Sequence, residues 1–88
     1  MKKNINDLYA VKPITLRTDL SYQELAVIVS KQPRLYEFVR CLYENKKYEL
    51  YRLRGMDSDN FNFAMTILKR HYPETHLYKF VLAEKEPI

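Results

Sequence analysis

Apolar and polar residues change rhythm several times along these 88 residues, and each change predicts an element. From Pro13, "PITLRT" alternates Ile14 and Leu16 with Thr15 and Arg17, the period of a half-buried strand. In "YQELAVIVSK", Leu25, Ile28 and Val29 share one helical stripe. Asp19 or Ser21 can cap that helix, and Glu24 follows Ser21 by three positions, the spacing of a capping box. Pro33 closes it and suits the first turn of the next helix. "PRLYEFVRCLYEN" then sets Leu35, Phe38, Val39 and Leu42 at i, i+3, i+4 and i+7, with Glu37, Arg40 and Glu44 opposite.

The phase breaks at "ENKK". A continuing helix would put Lys46 and Glu49 where the core lies. Read as a strand, "YELYRLR" turns Tyr48 and Leu50 to one face, joined by Arg52 and Arg54, and Tyr51 and Leu53 to the other. Gly55 after two arginines is also a helix stop signal. Tyrosine content and alternation favour the strand.

Asp57 and Ser58 cap "DNFNFAMTILKRHY", whose inner stripe is expected to be Phe61, Ala64, Met65 and Leu68, widened by Ile67. Pro73 stops it. "HLYKFVLAE" carries Leu77 and Val81 on one strand face and Tyr78, Phe80 and Leu82 on the other, which suits a central strand.

The expected fold is therefore α+β, a single domain over 1–88 in the order β-α-α-β-α-β. Its three-stranded sheet has the C-terminal strand in the middle and helices packed on it. A short polar segment, 1–11, precedes it, with one helical turn capped by Asn4 or Asn6; residues 84–88 are expected to fray.

Composition changes this picture in two ways. Fifteen Lys and Arg against eleven Asp and Glu give a net charge of +4, which mildly favours a polyanionic partner. Eight tyrosines without tryptophan supply amphipathic rings of the kind enriched at binding surfaces. One glycine leaves no phosphate-cradling glycine loop. One cysteine, Cys41, allows no internal disulfide, which fits a cytoplasmic setting. No apolar run is long enough to cross a membrane.

Candidate chemistry is sparse. His71 and His76, with Glu74 between them, lack a third firm ligand for a metal. Cys41 reads as a small buried hydrophobe, and Asp57, Asp59 and Glu74 as capping or solvated carboxylates. No catalytic residue, cofactor site or metal site is expected, and the chain reads as a non-enzyme. "LSYQELAVIVSKQPRLYEFVRCL" loosely fits a helix-turn-helix, with Gln32, Arg34, Glu37 and Arg40 facing a groove, although Lys31 falls where a buried aliphatic belongs.

The better basic surface is the strand: Lys46, Lys47, Tyr48, Arg52 and Arg54, extended by Arg17 from the other edge strand if the sheet brings it near. The expected function is a small binding protein that engages nucleic acid or a nucleoprotein complex through this edge. The competing expectation is an adaptor or inhibitor, of the kind phages and mobile elements encode, that docks on a host protein through tyrosines or an unpaired strand edge. Charge on an edge strand also serves simply to prevent edge-to-edge pairing.

Overall fold

The computed structural model describes residues 14–86. Four α-helices carry the core: α1 (Tyr22–Lys31), α2 (Pro33–Tyr43), α3 (Ser58–Thr66) and α4 (His76–Lys85). A 3₁₀ helix, Leu50–Gly55, joins α2 to α3, and a π-helical turn, Ile67–His71, extends α3. Among the described residues there is no strand and no sheet, so the α+β expectation is overturned. The helical turn expected within 1–11 and the residue opening the first strand, Pro13, lie outside the described residues.

Three of the four helix starts follow from local signals, two of them side-chain caps. Ser21 Oγ accepts from the Glu24 amide while Glu24 Oε1 accepts from the Ser21 amide, the reciprocal pair of a capping box. Gln32 alone separates α1 from α2. It is extended (φ −112°, ψ 101°), as steric conflict with the Pro33 ring requires, and that ends α1. A helix-turn-helix uses three or four residues at this joint, so the two helices lack that motif's turn. Asp57 caps α3 by accepting from the Asn60 amide.

Each helix contributes a buried stripe to one core. Leu25, Ala26 and Val29 meet Leu35, Phe38 and Val39 from α2, Phe63, Ala64 and Ile67 from α3, and Leu77, Tyr78 and Val81 from α4. Met56 closes it from the linker. α1 packs chiefly along α4.

The three expected strands fail for separate reasons. Leu77 and Val81 are four residues apart, a separation that shares a face in a strand and in a helix alike. Burial of Tyr78 beside them selects the helix, while Phe80 and Leu82 stay at the surface. Residues 14–17 are irregular. Instead of a strand partner, the Thr15 amide donates to Asn62 Oδ1 (3.0 Å) and the Arg17 amide to Thr66 Oγ1 (2.9 Å). Asn62 and Thr66 are one helical turn apart on α3, so the alternate amides find side chains where a sheet would offer carbonyls. The third, "YELYRLR", is taken up below.

α3 buries Ala64 and, beyond its end, Ile67 as expected, but turns the rest of its inner face away from the expected stripe. Phe63, Ala64, Thr66 and Ile67 are buried, whereas Phe61 and Met65 are half-buried and Leu68 is 38% exposed. The apolar arc of the helix is wider than the face it buries, so periodicity alone does not choose the inner side.

Candidate functional site

The site begins where α2 ends. Asn45 adopts a left-handed conformation (φ 56°), and the Lys46 amide returns to Cys41 O at 2.9 Å. This is the long bond of a Schellman closure, made by asparagine where glycine is the usual choice. The chain then runs irregularly to Tyr48, whose half-buried ring meets Phe38 edge to face with centroids 5.1 Å apart. From Leu50 it tightens into the 3₁₀ helix, with the Arg52 amide on Glu49 O at 2.9 Å.

The strand expected over this stretch is therefore absent, and its face is redistributed. Two residues apart on a 3₁₀ helix means about 240° of rotation, so Arg52 and Arg54 no longer share a side. Leu50 and Tyr51, 71% and 64% exposed, project to solvent. Gly55 ends the helix without a positive φ. Its smallness serves close approach instead: Arg34 Nη1 donates to Gly55 O at 3.0 Å, and a Cβ at Gly55 would sit 3.2 Å from that nitrogen.

That contact builds the site. Arg34, in the first turn of α2, and Arg52, in the 3₁₀ helix, line one hollow of about 250 Å³ with Tyr48 between them. The Arg52 guanidinium lies over the Tyr48 ring, 5.1 Å from its centroid. Phe38 fixes Tyr48, and Tyr48 in turn orients Arg52. Burial pushes the Tyr48 phenol upward, with Arg52 opposing that shift, so the ring stays neutral. Arg34 spends one guanidinium N–H on Gly55, leaving four of its five donors. Arg52 forms no ion pair among the described residues.

The other expected residues are placed differently. Lys46 pairs with Glu44 at 3.6 Å, on the rim of a separate apolar hollow that Tyr48 also lines. Lys47 is exposed on the irregular approach. Arg54 follows Arg52 by two positions in the 3₁₀ helix, about 240° further round its axis. Arg17 takes no part: it forms a two-point ion pair with Asp19 and lies over the Phe63 ring at 5.2 Å. Tyr48 is not an open stacking platform, because Phe38 and Arg52 already occupy it.

Arg34 is the residue missing from the expected basic face. Sequence reading placed it only in the helix-turn-helix alternative, since its partners lie eighteen and twenty-one residues downstream on other elements. Other residues of that alternative are tied down internally: Gln32 accepts from Asn60 at 3.3 Å, and Arg40 pairs with Glu37 and Glu44. His71 and His76 both meet the Tyr22 ring, and among the described residues no group of three acidic, histidine or cysteine side chains is placed to hold a metal. No helix among these residues is long and apolar enough to cross a membrane. Comparison with known protein families, curated proteins and solved structures finds no match to this chain.

Proposed function

We propose that this domain binds nucleic acid by gripping the phosphate backbone in the Arg34–Tyr48–Arg52 hollow. The observation that carries the reading is the convergence of two guanidinium groups from separate elements on one polar recess with no carboxylate in its lining. Guanidinium forks match phosphate oxygens in geometry and charge, and they keep their charge at any relevant pH. Lys47 and Arg54, on the same linker, supply longer-range attraction, as does the net charge of +4. The outer face of the Arg52 guanidinium, 5.1 Å from the Tyr48 ring centroid, is a surface on which an unpaired base can stack. Single-stranded nucleic acid suits this better than a duplex, whose bases are already stacked.

The reading is tested by anisotropy titrations of a labelled single-stranded oligonucleotide across a series of salt concentrations. Binding of the intact chain should weaken steeply with salt. Arg34→Ala with Arg52→Ala should cost tenfold or more in affinity and flatten the log–log salt slope by about 0.7 to 1.4, one or two phosphates' worth. Both side chains are exposed, so the unfolding midpoint should hold. Unchanged affinity in the double variant would remove the reading.

A further inference from the structure

A second surface lies beyond Tyr48 and has a different chemistry. Two apolar hollows meet at Leu68: one of about 470 Å³ with Ile14, Leu16 and Met65 in its wall, the other of about 430 Å³ with Leu42 and Leu50. Three of the exposed large apolar side chains among the described residues fall in this trough: Leu50 at 71%, Ile14 at 57% and Leu68 at 38%. Isolated exposed apolar residues are ordinary, but their convergence on one concave strip marks a contact surface. The trough also explains the orientation of α3. Turning Phe63 and Ile67 inward leaves Leu68 outside, at the junction of the two hollows.

Charge selects the occupant. Lys69 lines the first hollow and Lys46 the second, and no carboxylate lines either. Lys69 has no ion pair among the described residues, while Lys46 shares Glu44 with Arg40. A second copy meeting this surface about a two-fold axis would bring the same lysines to the same interface, which is repulsive. A nucleic acid gains nothing from a trough that offers it leucine, isoleucine and methionine. An apolar stripe flanked by carboxylates satisfies both the floor and the rim.

We propose that the Leu68 trough is a docking groove for an acidic amphipathic helix of a partner protein. Leucines spaced i, i+3, i+4 and i+7 would fill the two hollows across Leu68, and flanking carboxylates would meet Lys46 and Lys69. The trough adjoins the guanidinium hollow, with Tyr48 in the wall of both.

Two synthetic helical peptides test this against the full-length chain, measured by anisotropy. Both carry the same leucine stripe, one with glutamate and the other with lysine at the remaining positions. The glutamate peptide should bind, and the lysine peptide should bind at least tenfold more weakly. Leu50→Ser with Leu68→Ser should abolish binding of the glutamate peptide without moving oligonucleotide affinity. Lys46→Glu with Lys69→Glu should reverse the preference between peptides. Equal binding of both peptides, or indifference to the leucine substitutions, would overturn the proposal. So would a concentration-dependent dimer, by sedimentation, that Leu68→Ser dissolves, since the occupant would then be a second copy. Binding of the glutamate peptide only after residues 1–13 are removed would assign the trough to the chain's own first residues and overturn it equally.

Discussion

Tyr43 carries one of the two buried side-chain polar atoms without a hydrogen-bond partner among the described residues; His71 Nδ1 is the other. Its ring stacks on Tyr78 at 5.1 Å and meets Tyr72 at 5.6 Å, and its hydroxyl is buried with no hydrogen-bond partner among the described residues. Burial, reinforced by neighbouring phenols and Glu74, pushes the phenol up to about 12 from an ordinary 10. The fold therefore favours the protonated phenol. That contribution is intact below pH 10 and is lost as the pH rises towards 12. Tyr43→Phe keeps the ring contacts and removes the orphaned hydroxyl, which normally costs about 1–3 kcal/mol to leave unpaired. Chemical denaturation at pH 7 should show this variant as stable as the parent or more so, and at pH 11 it should have lost less stability than the parent. A loss above about 1 kcal/mol at pH 7 would mean the hydroxyl is bonded.

At the scale of elements, the sequence was most readable where a start signal was local. The Ser21–Glu24 box, Pro33 and Asp57 each specify a helix within four residues, and each helix is there. The break after Glu44 was also legible, because the apolar stripe loses phase at Lys46. The C-terminal strand was misread because Leu77 and Val81 are four apart, a separation that a strand face and a helical turn share. Segment 14–17 shows what replaced a strand partner. Thr66, the one buried polar side chain among the described residues, accepts from the Arg17 amide and donates to Asn62 O at 2.7 Å. Thr66→Val keeps the volume but removes both bonds, so it should destabilise by about 1–3 kcal/mol. It should also raise hydrogen exchange at the Arg17 amide. A neutral result would show that residues 14–17 are held by something other than α3. The inner face of α3 was only partly readable, because the apolar arc from Phe63 through Ile67, Ala64, Leu68 and Phe61 to Met65 is wider than the buried one, and Thr66 is buried at its edge. The guanidinium site was half legible. Lys46, Lys47, Tyr48, Arg52 and Arg54 were visible as one basic, aromatic stretch, but Arg34 joins only through tertiary packing, and Arg17 is drawn away to Asp19 and Phe63.

Across the whole molecule, charge has two tasks that separate with pH. Glu44 ties the C-terminal end of α2 to α4: it accepts from the Tyr78 hydroxyl and pairs with Arg40 and Lys46. The Tyr78 bond chiefly, with the two cations, holds its carboxyl below the ordinary 4.5. Stability from Glu44 is thus present above pH 4.5 and lost as acid titrates the folded carboxylate. His71 is depressed mainly by burial, so it contributes stability above 6.5 that declines as the pH falls below that value. The unfolding midpoint should therefore fall in two stages on acidification, beginning below pH 6.5 and again below 4.5. Glu44→Gln should flatten the second stage and leave the first, and a second stage unaltered by that substitution would place the coupling elsewhere. Arginine charge does not titrate in this range, so the guanidinium hollow should hold its affinity for phosphate wherever the domain stays folded.

The account rests on Arg34 and Arg52 acting together although they come from different elements. A double-mutant cycle measures that directly: oligonucleotide affinity for the parent, Arg34→Ala, Arg52→Ala and the pair, at one low salt concentration. Two groups gripping one phosphate should give a coupling energy of about 0.5–3 kcal/mol, with the second substitution costing less once the first is made. Strictly additive losses, or an intact chain that does not retain the oligonucleotide, would contradict it.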